Sequence, residues 1–200
     1  MNLKGKTIGF GLTGSHCTYE EVLPQIKVLK DEGARVIPIV SYTVQSTDTK
    51  FGQADDWLKQ IKELSGEEEV IDSIVKAEPL GPAKLLDLMV IAPMTGNTLA
   101  RLANAITDSP VLMAAKATLR NRRPLVLAIS TNDGLGLNAV NVAKLLNAKN
   151  IYFVPFGQDN PHGKETSLVA RMELIKETCE QALEGKQLQP VLVEKYKYMN

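Results

Sequence analysis

The stretch Thr7-Ile8-Gly9-Phe10-Gly11-Leu12-Thr13-Gly14-Ser15 decides the fold. Its apolar first half, Thr7–Leu12, is typical of a short buried strand. The glycines match the spacing G-x-G-x-x-G, in which glycine lets the backbone approach a phosphate. A helix expected over Thr18–Glu32 would present unpaired amides to that phosphate. The alternative is a purely structural tight turn, because any turn from strand to helix favours glycine.

Strands and helices alternate along the rest of the chain. Apolar runs predict strands at Arg35–Val40, Leu88–Ala92, Leu125–Ile129 and Ile151–Val154. Helical spacing predicts helices at Asp55–Leu64, Thr98–Ile106, Pro110–Arg120, Leu137–Leu146 and Ser167–Glu184, with loops at Ser41–Gly52 and Phe156–Glu165. This alternation predicts a doubly wound, Rossmann-like α/β fold, with a parallel sheet and helices on both faces. We expect one domain over residues 1–184 and a C-terminal tail over residues 185–200.

Composition excludes several classes of partner. The 23 Lys and Arg residues balance the 23 Asp and Glu residues, which argues against nucleic acid as the main partner. The two cysteines, Cys17 and Cys179, are far apart and indicate neither a disulfide framework nor a metal site. No apolar run approaches the roughly 18 residues of a membrane span, and no signal peptide is recognisable. We therefore expect a cytoplasmic protein without a membrane partner.

Ligands of doubly wound folds lie beyond the carboxyl ends of the strands, so the segments that follow the strands are candidate sites. A dinucleotide would require an acid after the second strand, but that strand is followed by Ser41, Tyr42 and Thr43, which suit a phosphate instead. The segment Ala92–Thr98 could form a second anion-binding helix start, or its polar residues could simply cap that helix. The predicted cofactor-binding residues are Thr13, Gly14, Ser15, Ser41, Thr43, Pro93, Thr95, Gly96, Asn97, Thr98, Ser130 and Asn132.

Two side chains are candidates for proton transfer, and two for binding a substrate carboxylate. His16 follows the first strand, and histidine is the natural proton-transfer group near neutral pH. Asp133 lies in a glycine-rich segment after the Leu125 strand. A lone loop histidine is more often a surface or hydrogen-bonding residue. Lys116 and Arg120 could bind a carboxylate, or could simply be cations placed favourably near a helix C-terminus.

Two segments resemble the flavoprotein decarboxylase family, which includes phosphopantothenoylcysteine decarboxylase. They are Gly11-Leu12-Thr13-Gly14-Ser15 and the run from Leu88 to Ala103, which is similar to the family pattern APxSANTxAKxA. The resemblance covers roughly residues 5–150. It implies that the first turn and the helix start after Pro93 hold the phosphate of flavin mononucleotide (FMN). The family's catalytic histidine has no counterpart before Leu88, and its PxMN segment is replaced by Ser130–Asp133, which puts cysteine-type decarboxylation in doubt.

Further segments resemble one branch of this family, whose members are subunits of an oxidoreductase. These segments are Ala77–Pro82, Ile106–Val111 and Ser130–Gly136. The resemblance implies oxidation of a dihydro- or hydroxytetrahydropyridine dicarboxylate to an aromatic ring, in the mother cell of a spore-forming bacterium. It implies a partner subunit and a trimer-based homo-oligomer. The implied acceptor is FMN, and the alternative acceptor is NAD(P) bound to the partner subunit. A flavin-dependent decarboxylase and a non-catalytic nucleotide-binding protein remain the alternatives.

Overall fold

A computed structural model describes residues 3–194 of the chain. Its central parallel sheet has the strand order β2-β1-β3-β4-β5. The strands are β1 (Thr7–Leu12), β2 (Arg35–Val40), β3 (Leu88–Met94), β4 (Leu125–Thr131) and β5 (Ile151–Phe153). The predicted doubly wound α/β fold is thus confirmed. The chain reverses its direction across the sheet between β1 and β3, the point at which such folds bind ligands.

Helices cover both faces of this sheet. The helices are α1 (Tyr19–Asp31), α2 (Tyr42–Ser46), α3 (Ala54–Ser65), α4 (Ile74–Ala77), α5 (Gly96–Ala103), α6 (Pro110–Arg120), α7 (Ala139–Leu146) and α8 (Ile175–Leu183). Helix α1 contacts α3 and α8, whereas α6 contacts α4 and α5, and α5 contacts α7. Every residue of β3 is buried, because helices cover the sheet on both sides. No helix within residues 3–194 has the length and apolar character needed to cross a bilayer.

The C-terminal part of the sheet differs from the prediction. The expected helix Ser167–Glu184 is wrong at its start, where Leu168–Ala170 forms a strand, β7. This strand pairs antiparallel with the end of β4 and with the two-residue strand β6 (Phe156–Gly157). The three residues of β7 are apolar and buried, so burial against β4 overrides their local helical spacing. The helical part of the segment begins with a 3₁₀ turn at Met172.

Smaller differences concern loops and boundaries. The predicted loop Ser41–Gly52 contains α2, whose first turn is closed by bonds from the amides of Val44 and Gln45 to the Ser41 carbonyl. Helix α5 begins at Gly96, two residues before the predicted start. Thr95 caps it with its hydroxyl, which is one of the two roles that the sequence left open for the polar residues of this segment.

Part of the predicted tail is bonded to the sheet. The Gln187 side chain accepts a 2.8 Å hydrogen bond from the Phe153 amide and donates a 2.6 Å bond to the Phe153 carbonyl. The Phe156 amide donates to the Val191 carbonyl, and the Val193 amide donates to the Phe156 carbonyl, both over 3.0 Å. Residues 195–200 of the predicted tail lie outside the described residues.

Candidate functional site

The ends of β1 and β3 are bonded to each other through one threonine. The hydroxyl of Thr13 donates a 2.6 Å hydrogen bond to the Pro93 carbonyl and accepts a 3.0 Å bond from the Thr95 amide. Thr13 is buried, so its hydroxyl is fully used inside the protein. Thr13 and Pro93 were expected to contact a cofactor, but neither lines the cleft described below. They hold the two strand ends side by side instead.

The end of β4 lies beside the ends of β1 and β3. The hydroxyls of Ser15 and Ser130 lie 2.8 Å apart, which links the turn after β1 to the last residues of β4. The carboxyl ends of β1, β3 and β4 therefore meet at one place. Parallel strands bring this about because all their carboxyl ends lie at the same edge of the sheet.

Backbone amides remain open at this meeting point. The amides of Gly14, Gly96 and Asn97 find no acceptor among residues 3–194. Gly96 and Asn97 are the first two residues of α5, whose amides have no partner inside a helix. A helix start of this kind favours an anion through its free N–H groups and its dipole.

Two glycines permit the close approach of these segments. A Cβ on Gly14 would lie 2.7 Å from the Thr43 methyl group. A Cβ on Gly96 would lie 2.6 Å from Thr131 Oγ1 and 2.8 Å from Asp133 Oδ1. Any side chain at either position would thus push apart groups that now touch.

The remaining predicted phosphate-binding residues lie behind this surface. Thr98 is buried, and its amide and hydroxyl both contact the Thr95 hydroxyl, so these two residues complete a helix cap. Thr43 packs against Gly14, and the buried Ser41 Oγ has no hydrogen-bond partner. A buried hydroxyl without a partner usually marks a bound water or ligand atom. Neither Ser41 nor Thr43 lines the cleft.

Asp133 is the centre of a hydrogen-bond network on the β4 side. Its Oδ1 accepts a 2.5 Å bond from the Thr131 hydroxyl, and its two oxygens accept bonds of 3.0 and 2.8 Å from Asn138 Nδ2. Asn138 Oδ1 in turn accepts a bond from Asn141. The carboxylate therefore fixes the loop that leads from β4 into α7.

A cleft of about 780 Å³ opens over these strand ends. One wall is the turn and helix start just described, and the opposite wall comes from the segment between β6 and β7. Its lining residues include eight predicted ones: Gly14, Ser15, Thr95, Gly96, Asn97, Ser130, Asn132 and Asp133. The size is that of a small-molecule or cofactor site.

His16 is not part of the cleft lining. Its ring is buried, packs on Tyr19 at 4.9 Å between ring centroids, and leaves Nε2 without a partner. Burial lowers the pKa of His16 below its ordinary value, and the nearby Gly14 carbonyl offsets this only in part. The expectation of a catalytic imidazole facing a substrate is therefore not met, because the residue is packed into the fold.

This burial predicts a pH dependence of stability. Because the folded-state pKa of His16 is lowered, protonation favours the unfolded chain, and the free energy of unfolding should fall as pH drops below about 6.5. Urea unfolding between pH 7.5 and 5.5 should show a smaller fall for His16→Gln than for the wild type. The control His162→Asn changes an exposed loop histidine and should behave like the wild type. Equal falls for His16→Gln and the wild type would contradict the prediction.

Lys116 and Arg120 lie elsewhere. Both line a separate, mostly apolar groove of about 420 Å³ with Leu102, Ile106, Leu112 and Leu119. They belong to the last turn and a half of α6. A crossover helix runs antiparallel to the strands, so its C-terminus lies near their amino ends, away from the cleft. The expected contact of these cations with a ligand in the cleft is therefore not found.

Several lining residues were not among the predicted site residues. Thr131 and Asn138 hold the Asp133 carboxylate, while Asp159, Asn160, Lys164 and Ser167 form the far wall. Asp159 and Asn160 follow the predicted strand Ile151–Val154, and that position is the signal that could have found them. Lys164 and Ser167 reach the cleft only because β7 returns along β4.

Comparisons with known proteins give a consistent result. The model of the family described as "Flavoprotein" matches residues 1–180. The B subunit of dipicolinate synthase from Bacillus subtilis (strain 168) is 63% identical over 195 residues, covering 98% of this chain and 97% of that protein. The crystal structure of the corresponding dipicolinate synthase B subunit from Bacillus halodurans C is 63% identical, with a TM-score of 0.89, and covers 98% of this chain and 100% of that one.

A more distant structure shares the fold. The dodecameric FMN-dependent Ubix-like decarboxylase from Escherichia coli O157:H7 is 19% identical, with a TM-score of 0.61, over 74% of this chain and 79% of that one. The family match spans most of the chain, and it agrees with the strand order and with the open amides at the ends of β1 and β3. The chain belongs to the flavoprotein family.

Proposed function

We propose that this chain is the B subunit of a dipicolinate synthase and binds FMN in the cleft over β1, β3 and β4. The observation that carries the proposal is the set of open amides at Gly14, Gly96 and Asn97, braced by Thr13 at the ligand edge of a flavoprotein-family sheet. The 63% identity to the Bacillus subtilis protein supports the specific activity.

The residues present fit an FMN phosphate. The three open amides and the Ser15 hydroxyl, all at residues that line the cleft, supply hydrogen-bond donors for it. Ser130, Asn132 and Asp133, which also line the cleft, would contact the ring system. When bound, FMN supplies an acceptor for a hydride equivalent.

The substrate is a dihydro- or hydroxytetrahydropyridine-2,6-dicarboxylate. Its oxidation to dipicolinate releases a hydride equivalent and a proton, after loss of water from the hydroxylated form, and aromaticity drives the reaction. The chain's own tasks are to hold the dicarboxylate against the acceptor, to exclude water and to receive the proton. Of the two predicted acid–base residues, Asp133 borders the cleft, so proton transfer is assigned to it rather than to the buried His16.

The proposal includes partners. A dipicolinate synthase A subunit would complete the enzyme and would carry NAD(P) if that cofactor takes part. The resemblance to the family implies a trimer-based homo-oligomer, and association would cover exposed apolar side chains such as Leu137, Val140 and Ile106. The setting is the mother-cell cytoplasm of a spore-forming bacterium.

The test is a titration of the purified full-length chain with FMN, followed by absorbance and flavin fluorescence. Binding at micromolar concentrations or below is expected. The second stage mixes the chain with its A subunit and measures formation of pyridine-2,6-dicarboxylate. Loss of activity when this chain is left out supports the proposal. Full activity from the A subunit alone would favour a non-catalytic role, and release of carbon dioxide from thiol-containing carboxylates would favour a decarboxylase.

A further inference from the structure

The far wall of the cleft carries a cation that neither the fold nor the family pattern singled out. Among the described residues that line the cleft, Lys164 is the one with a positive charge, and it lies across the cleft from the open amides. The other charged lining residues, Asp133 and Asp159, are acids. A dicarboxylate in this cleft would therefore meet one cation.

The N–H donors of the Lys164 ammonium group make no hydrogen bond within the described residues. Its Nζ lies 3.9 Å from Asp159 Oδ2, which is beyond hydrogen-bond distance, and 59% of its side chain is exposed. An ion pair of this length and exposure contributes little to stability. The ammonium group therefore lies near an acid without a hydrogen bond to it, and its three N–H donors stay available.

Ser167 supplies a second donor beside it. This residue is 3% exposed and lines the cleft, yet its hydroxyl makes no hydrogen bond within the described residues. The Ser167 amide donates a 3.0 Å bond to the Lys164 carbonyl, so the two residues share one turn of the chain. Although the residue is almost buried, its hydroxyl borders the cleft and is not used by the protein, so it can donate to a ligand there.

The turn is held firmly against the loop after β4. The Lys164 amide donates to the Asn160 carbonyl over 2.7 Å, and the Thr166 hydroxyl donates to the Asn132 carbonyl over 2.6 Å. The Leu135 amide completes the attachment by donating to the Thr166 carbonyl over 2.9 Å. Lys164 and Ser167 are therefore carried by a braced wall, which suits a binding subsite.

We propose that Lys164 and Ser167 form the subsite that binds one carboxylate of the substrate. This inference rests on the proposed function, because it takes the ligand of the cleft to be a pyridine dicarboxylate. The ammonium group attracts the carboxylate by its charge, and the Ser167 hydroxyl orients it by a hydrogen bond. One carboxylate is thereby fixed at the far wall while the ring lies towards the acceptor.

The experiment measures binding of pyridine-2,6-dicarboxylate and pyridine-2-carboxylate to the full-length, FMN-loaded protein by titration calorimetry. Wild type should prefer the dicarboxylate. Lys164→Met should weaken dicarboxylate binding by roughly ten- to a hundredfold, since hydrogen bonds to charged groups contribute about 1.5–3 kcal/mol. Lys164→Arg should retain part of the affinity, and Ser167→Ala should lose roughly three- to tenfold.

Lys116→Met is the matched control, because it removes a lysine from the separate groove beside α6 and should leave dicarboxylate binding unchanged. FMN affinity, measured separately, should stay within about twofold in all variants, since the phosphate-binding amides lie on the other wall. Equal dicarboxylate affinities in wild type and Lys164→Met would overturn the subsite, as would wild type that binds no dicarboxylate. Failure of wild type to bind FMN would instead overturn the proposed cofactor, so the two failures are distinguishable.

Discussion

A Gly96→Ala variant is expected to bind FMN roughly thirtyfold more weakly than wild type, a loss of about 2 kcal/mol. The new methyl group would lie 2.6 Å from Thr131 Oγ1 and 2.8 Å from both Asn138 Nδ2 and Asp133 Oδ1. These atoms already bond one another and cannot retreat independently. The start of α5 must then move outward, and the open amides of Gly96 and Asn97 move with it.

Two opposing effects set this estimate. Forcing a methyl group into a filled site costs about 1–3 kcal/mol. Replacing glycine by alanine inside a helix gains at most about 1 kcal/mol, and less at the first position. The strain therefore prevails, and it falls on the proposed phosphate site.

The control for this prediction is Gly81→Ala. A Cβ on Gly81 would meet Ala117 at 3.5 Å, an ordinary contact, so FMN affinity should not change. Flavin fluorescence titrations of the three proteins provide the measurement. Wild-type FMN affinity in Gly96→Ala would mean that the start of α5 does not hold the phosphate.

An Asp133→Ala variant is expected to lower the free energy of unfolding by about 2–4 kcal/mol. The change removes the acceptors of the Thr131 hydroxyl and of Asn138 Nδ2, and Asn138 is buried. A donor left unpaired away from water costs about 1–3 kcal/mol, and water in the cleft that Thr131 and Asn138 line offsets part of the two losses. Asp133→Asn keeps the shape and one acceptor oxygen, so about half of that loss is expected.

Urea unfolding followed by circular dichroism measures both variants. Asp31→Ala is the control, because this carboxylate lies on the surface and pairs with Lys27 in an exposed ion pair on one helix. Such pairs contribute about 0.3–0.5 kcal/mol, so little change is expected. A stability loss in Asp133→Ala no larger than that of Asp31→Ala would show that the network is not needed for the fold.

Local sequence patterns were sufficient to predict most of the strands and helices. The apolar runs at Thr7–Leu12 and Leu88–Ala92 predicted strands that are present, because a strand covered on both faces must be apolar throughout. The pattern misled at Leu168–Ala170, where helical spacing and strand burial look alike over three residues. Only the antiparallel partner Ser130–Thr131 decides that this segment is a strand.

For the candidate site too, some features follow from the sequence and others only from the tertiary structure. The sequence by itself determined that Gly14, Gly96 and Asn97 would lie where strands give way to helices, because glycine and free first-turn amides are local properties of the chain. Only the tertiary structure decided that Thr13 bonds the two turns together, that His16 is buried, and that Lys164 rather than Lys116 borders the cleft. Those outcomes depend on strand order and on which end of each helix meets the sheet edge, and both are set by packing between residues far apart in the chain.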